Sequence, residues 1–221
     1  IDRLSLRLGK SVFNLSGDIK NFTAPKIAVS LNSPYMSFDD VAILTTLKPS
    51  GQKVGSLFPA ELTTNAQIEA GAFQDINFKK LKADLKFVGE TLDVKALEAG
   101  IFAGKLTGRG KADIRRDGRN RYAATFSLDK VSLDKVQKYL KMGQREVTGN
   151  LSLTGNITAS GRDTDDLMKT AAGTFQVRAD KGVLKRFSAL SKIFSLLNVF
   201  QLAKFQLPDM ATGGMPYNGI T

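Results

Sequence analysis

Three groups of residues in this 221-residue chain have types and spacings that could do chemistry. Asp163, Asp165 and Asp166 cluster carboxylates in the manner of a calcium loop. An EF-hand would continue with Gly where Met168 stands and Glu where Thr174 stands. Helix capping accounts for the cluster better, because Asp at a helix start accepts backbone N–H bonds and faces the positive end of the dipole. Gly108-Arg109-Gly110 opens like a dinucleotide-binding loop, but Asp113 occupies the third glycine's place and apolar alternation runs on to Ile114 with no helix. Arg115, Arg116, Arg119 and Arg121 surround one turn and could hold phosphate. The turn reads first as solvated, with anionic headgroups as the ligand if it takes one. Nucleic acid is not expected, because Phe78, Phe87 and Phe126 alternate with lysines instead of sharing a surface with them.

What is missing narrows the field further. The chain has no His and no Cys, which excludes imidazole bases, thiol nucleophiles, disulfides and Cys/His zinc sites. No catalytic residue, metal site or cofactor is therefore expected, and the chain does not read as an enzyme. Lys and Arg total 32 against 21 Asp and Glu, a net charge of +11, so anionic partners are favoured. At 42% apolar residues the chain can bury a core.

The elements that must position these residues are mostly strands. Period-two alternation marks Leu4 to Leu8, Phe13 to Ile19, Ile27 to Leu31, Leu62 to Ala70, Leu81 to Phe87, Leu92 with Val94, Leu106 to Ile114, Tyr122 to Leu128, Val147 to Ala159 and Phe175 to Ala179. Gly89-Glu90, Asp117-Gly118 and Asp180-Lys181-Gly182 supply turns. The pattern predicts a mainly β fold: a long, curled antiparallel sheet with one dry and one wet face. The dry face is expected to form an apolar groove lined by Leu62, Ala66, Ile68, Leu85, Phe87, Leu106, Ala112, Ile114, Phe126, Leu128, Val147, Leu151, Leu153 and Ile157. Glycines 17, 108, 110, 149 and 155 are predicted on that face of the strands.

Helices are few. Asp39 to Lys48 follows Ser37 as N-cap, with Asp40 at the capping-box position, and Ser132 to Met142 repeats the arrangement. Asp163 to Ala172 is a third, closed by Gly173. The fourth, Phe187 to Phe205, carries a wide apolar face of Leu190, Ile193, Phe194, Leu197 and Phe200. Three roles stay open for it: a plug over the groove, a membrane-surface helix, or a partner-binding helix. Met36-Ser37-Phe38-Asp39-Asp40-Val41 matches Val131-Ser132-Leu133-Asp134-Lys135-Val136 in type and order, suggesting repeat units over 1–60 and 61–142, with 143–221 as closing strands and helix. The opening Ile1-Asp2-Arg3, without an initiator Met, reads as a fragment of a longer chain.

Three segments carry a family resemblance. They are Leu31-Asn32-Ser33-Pro34-Tyr35-Met36-Ser37-Phe38-Asp39, Leu97-Glu98-Ala99-Gly100-Ile101-Phe102-Ala103-Gly104-Lys105-Leu106-Thr107-Gly108-Arg109-Gly110, and Gly155 through Asp166-Leu167-Met168 to Gly173-Thr174-Phe175. In this order they resemble the AsmA-like C-terminal region. The resemblance implies a bridge-like lipid-transfer protein of the Gram-negative envelope, periplasmic and tethered to the inner membrane in the full-length protein. It also implies phospholipid acyl chains as cargo, moved between inner and outer membrane. The expected partners are those chains, an anionic membrane surface held weakly, and envelope proteins not specified by the sequence. A structural or assembly scaffold of the envelope is the alternative.

Overall fold

The computed structural model describes residues 3–41, 61–115, 118–141, 147–184 and 215–217. The chain is mainly β. One eleven-stranded sheet holds β1 (Leu4–Leu8), β2 (Ser11–Lys20), β3 (Lys26–Ser33), β4 (Met36–Ser37), β5 (Glu61–Phe73), β6 (Ile76–Val88), β7 (Thr91–Ile101), β8 (Gly104–Asp113), β9 (Asn120–Ser132), β10 (Asn150–Gly161) and β11 (Ala172–Asp180). Spatial order follows chain order, with β4 beside β5 off the main path. Neighbours are antiparallel except that β3 and β4 both run parallel to β5. A separate pair joins β12 (Gly182–Leu184) to β13 (Met215–Tyr217). The described helices are short: a helical stretch over residues 38–41, α1 (Leu133–Tyr139) and α2 (Thr164–Thr170). The apolar segment from Phe187 to Phe205 lies outside the described residues.

The alternation becomes a face because every strand is paired in a compatible register. Leu4, Leu15, Leu31, Ala66, Ala83, Leu97, Gly108, Phe126, Gly155 and Phe175 are successive cross-strand partners from one edge of the main path to the other. A neighbouring row on the opposite face runs Asn14, Asn32, Gln67, Lys82, Glu98, Thr107, Ser127, Thr154 and Gln176. A one-residue slip in any strand would interchange its dry and wet side chains, so this agreement specifies register across the sheet.

Where the sequence breaks the period, the backbone absorbs the extra residue. Phe78-Lys79-Lys80-Leu81, Val94-Lys95-Ala96-Leu97 and Leu128-Asp129-Lys130-Val131 each place two residues between apolar ones. Register shifts fall at all three, and Lys80 and Lys130 have φ of 51° and 50°. A bulge leaves one residue unpaired and returns the following side chain to the dry face. Phe78 and Leu81 are therefore both buried although an odd spacing separates them.

Helix covers the dry face at one end of the strands, called here the covered end. Leu133 and Val136 of α1 join Val131, Val147, Leu151 and Ala179 in one cluster. Phe38 and Val41 pack against a second cluster containing Met36, Ala66, Ile68, Phe78 and Leu81. The Phe38 ring meets Phe73 and Phe78 edge-on at centroid distances of 5.5 and 5.9 Å. Thus Met36, Phe38 and Val41 occupy places equivalent to Val131, Leu133 and Val136. The repeated sequence marks a repeated device, a strand end passing into a helix that folds over the apolar face.

Four sequence expectations need correction. The Asp40 carboxylate does not complete a capping box; it accepts bonds from Lys10 N at 3.0 Å, Ser11 N at 3.1 Å and Ser11 Oγ at 2.7 Å. The Ser37 N–H donates instead to Ser11 Oγ at 2.8 Å. Asp40 thereby fastens the β1–β2 turn to the helical stretch, which satisfies more donors than the local bond would. Gly173 does not end α2, because Ala171 is already extended and Gly173 pairs with Ile157 inside β11. Val147 stands ahead of β10 rather than in it, packed beneath α1, and Gly149 is a connector with φ of 108° rather than a strand residue. The other two caps stand as expected: Ser132 Oγ accepts from Lys135 N at 3.4 Å and Asp163 Oδ1 from Asp166 N at 2.9 Å.

Ser11's hydroxyl bond, followed by the backbone donors, holds the Asp40 carboxyl below its ordinary pKa. Such a group contributes stability that is present above the ordinary carboxylate range and lost as pH falls through its depressed folded value. Asp40→Asn should therefore melt lower than the parent at pH 7, with the difference closing below about pH 4. Parallel thermal melts across that range check this.

Candidate functional site

Away from the covered end, the dry face continues as two further rows. One runs Gly17, Val29, Thr64, Leu85, Val94, Gly110, Ala124, Ile157 and Gly173. The next runs Ile19, Ile27, Leu62, Phe87, Leu92, Ala112, Tyr122 and Ala159. These rows cross nearly the whole sheet, roughly 40 Å at the usual strand spacing. Thr64 is the sole non-aromatic polar side chain in them. Among the described residues, the helix at this open end is α2, which abuts β10 at Gly161, where an added Cβ would lie 2.5 Å from Asp166 Cβ.

The fourteen expected lining residues divide between the two ends. Val147 and Leu151 are buried in the α1 cluster, Ala66 and Ile68 in the other, and Leu153 is fully buried as well. Leu62, Leu85, Phe87, Leu106, Ala112, Phe126, Leu128 and Ile157 are half-buried on the same face, and Ile114 is exposed just beyond β8. The sheet brings all except Val147 and Ile114 into one set of adjacent strands. Val94, Leu92, Tyr122 and Phe175 belong to the same rows. Each already lay in an alternating segment, but its neighbours across the sheet follow from register, which no single segment encodes.

Small residues shape this surface. Gly155 has no room for a side chain, since an added Cβ would sit 2.4 Å from the Phe175 ring. Phe175 lies over that glycine and meets Phe126 at 6.0 Å between centroids. Gly108 and Gly110 give β8 its apolar face without bulk. The result is an aromatic pair rising beside a shallow, low-relief strip.

The wet face has the opposite character. Four of its lysines pair with nearby carboxylates: Lys86 with Glu61 at 2.8 Å, Lys105 with Glu98 at 3.0 Å, Lys111 with Asp113 at 3.7 Å, and Lys95 with Asp93. Lys86 holds the Glu61 carboxyl below its ordinary pKa, chiefly through their hydrogen bond. Exposed pairs of this kind add little stability. Two open depressions of about 1070 and 570 Å³ draw on adjacent polar rows with one apolar row between them, which places both on this face. Neither is a groove enclosed by the apolar rows.

Arg115, Arg119 and Arg121 lie at the open end, where Arg115 N donates to Asn120 Oδ1 at 2.9 Å; Arg116 is outside the described residues. Lys79, Lys80 and Lys82 project from the other half of β6, so the basic residues do not form one patch. Leu190, Ile193, Phe194, Leu197 and Phe200 also fall outside the described residues. Among the described residues no cluster of acidic side chains could hold a metal ion, and Asp163 and Asp166 are engaged by the α2 backbone and its approach. No family model, curated protein or solved structure matches the chain.

Proposed function

We propose that the apolar face is a lipid-binding groove of an AsmA-like envelope protein, holding phospholipid acyl chains in transit between the inner and outer membranes of a Gram-negative cell. The observation that carries this reading is the apolar ladder from Leu4 to Phe175, continued by two more rows toward the open end. An acyl chain needs a long, low-relief, non-polar track and no specific partner, and these rows offer one perpendicular to the strands. Polar head groups would remain at the open end, where Tyr122, Asn120 and the arginines stand. In this reading the protein works in the periplasm, tethered to the inner membrane, and the apolar C-terminal segment from Phe187 either plugs the groove or touches the membrane. Among the described residues, β1 and β11 form the two edges of the sheet. These favour, as a second reading, a scaffold that binds envelope proteins by strand addition.

Solvent extraction of the purified protein followed by mass spectrometry tests the first reading. Phospholipid at a reproducible ratio to protein is expected. Protein that carries none, and captures none from micelles of a fluorescent phospholipid, leaves the scaffold.

A further inference from the structure

Large exposed apolar side chains gather mostly at one rim. Phe22 is 87% exposed in the β2–β3 turn, Met168 55% on α2, Val88 45% at the end of β6, Ile19 42% near the end of β2, and Ile114 39% just beyond β8. All five belong to the open end. Elsewhere, Phe73 at the covered end is 50% exposed, and Leu6 and Leu4 on edge strand β1 are 47% and 41% exposed. Single exposed apolar residues are ordinary on a protein surface, but the gathering of five of these eight at one rim is not.

Two of the turns carrying them, β2–β3 and β8–β9, are rich in basic residues, and a further arginine stands ahead of α2. Lys20 and Lys26 flank Phe22; Arg115, Arg119 and Arg121 follow Ile114; Arg162 precedes α2. Acidic groups at this end are largely engaged: Glu61 with Lys86, Asp113 with Lys111 and with Thr91 Oγ1 at 3.1 Å, Asp163 and Asp166 at the start of α2. Among the described residues, Asp18, Glu90, Asp93 and Asp165 also lie at this end, Asp93 paired with Lys95. The turns are also joined. Ile114 N donates to Glu90 O at 2.7 Å, and a Cβ added at Gly118 would lie 3.9 Å from the Arg162 side chain.

We propose that this rim is a membrane-docking edge. Phe22, Met168, Val88 and Ile114 enter the interfacial layer of a bilayer containing anionic phospholipid, while the arginines and lysines between them lie against its head groups. Apolar tips combined with basic neighbours are the composition that partitions into such an interface. Docking by this edge turns the open end of the apolar rows toward the bilayer, the side from which an acyl chain would enter. The proposal needs only the rim and stands whether or not the rows hold lipid.

The chain has no tryptophan, so Phe22→Trp installs a single indole reporter. With vesicles of phosphatidylcholine and a minority of phosphatidylglycerol, its emission should shift to the blue and be quenched by acyl-brominated lipid. Phe73→Trp should show neither change. In flotation, the exposed triple variant Phe22→Ser/Ile114→Ser/Met168→Ser should bind about tenfold less than the parent. Arg119→Ala/Arg121→Ala should bind less by a few-fold, mainly at low salt. Part of the parent's binding should persist in high salt. An unshifted indole at position 22, a triple variant that floats like the parent, or binding abolished by salt would each overturn the docking edge. Acyl capture from micelles is measured without vesicles, so failure of the groove and failure of the rim are separate results.

Discussion

Ile157→Glu is expected to abolish acyl-chain capture while the protein stays folded. Ile157 is half-buried on the dry face, and its cross-strand neighbours are Ala124 and Gly173. Those small neighbours leave space for a longer side chain, so the carboxylate can reach solvent in the empty protein. A lipid chain laid over it would strip that solvent from an unpaired charge. That cost exceeds what a few buried methylenes return, and capture should fall by roughly a hundredfold or more. Ile157→Leu should capture normally, and so should Thr158→Glu, whose side chain lies on the wet face. Retention of labelled phospholipid during gel filtration, with circular dichroism on each variant, makes the measurement. Undiminished capture by a folded Ile157→Glu protein would remove the apolar rows from the proposed function. Leu153→Glu is not an equivalent test: Leu153 has no exposed surface, and the same charge there should prevent folding.

Much of this sheet was legible because period-two alternation is a local property. Leu106 to Ala112 and Tyr122 to Leu128 announce both their strands and their buried side without reference to anything distant. The bulges were less legible. After Val94, the pair Lys95-Ala96 breaks the alternation, and a reading by strict period stops there, although β7 continues to Ile101. The parallel pairing of β3 with β5 was hidden for another reason. Adjacent alternating segments suggest a hairpin, whereas β3 gives way to β4 and the Phe38 stretch on the covered side before β5 begins at Glu61. Tertiary partners also redirected polar groups that local rules had assigned: Asp40 meets Ser11 from 29 residues away. The candidate surface was therefore visible as a list of apolar residues, and its division into covered and open ends was not, because that depends on where the helices fold back.

Gln137 shows the same gap at the level of one side chain, and its truncation carries a large expected loss of stability. It lies on the buried stripe of α1 with Leu133 and Leu140, spaced four and seven residues along from Leu133 in the helical sequence. A glutamine there is the one available sequence signal, since burial would demand partners for its amide. The structure supplies them. Gln137 Oε1 accepts from Val147 N at 3.1 Å, and Nε2 donates to Val147 O and to Leu133 O, the latter at 3.3 Å. The amide thus substitutes for a strand neighbour, pinning the chain that leaves α1 before it enters β10. Gln137→Ala removes both of these partners of Val147, which is fully buried, and opens a cavity beneath the helix. Stranded backbone groups cost about 1 to 3 kcal/mol each and the cavity adds to that, so a loss of roughly 3 to 5 kcal/mol is expected. Gln137→Glu should be no milder, because a carboxylate can accept from Val147 N–H but cannot donate to its carbonyl, and it carries a buried charge. Urea unfolding of the three proteins decides the point. A loss below about 1 kcal/mol for Gln137→Ala would mean that the amide is not what holds α1 onto the sheet.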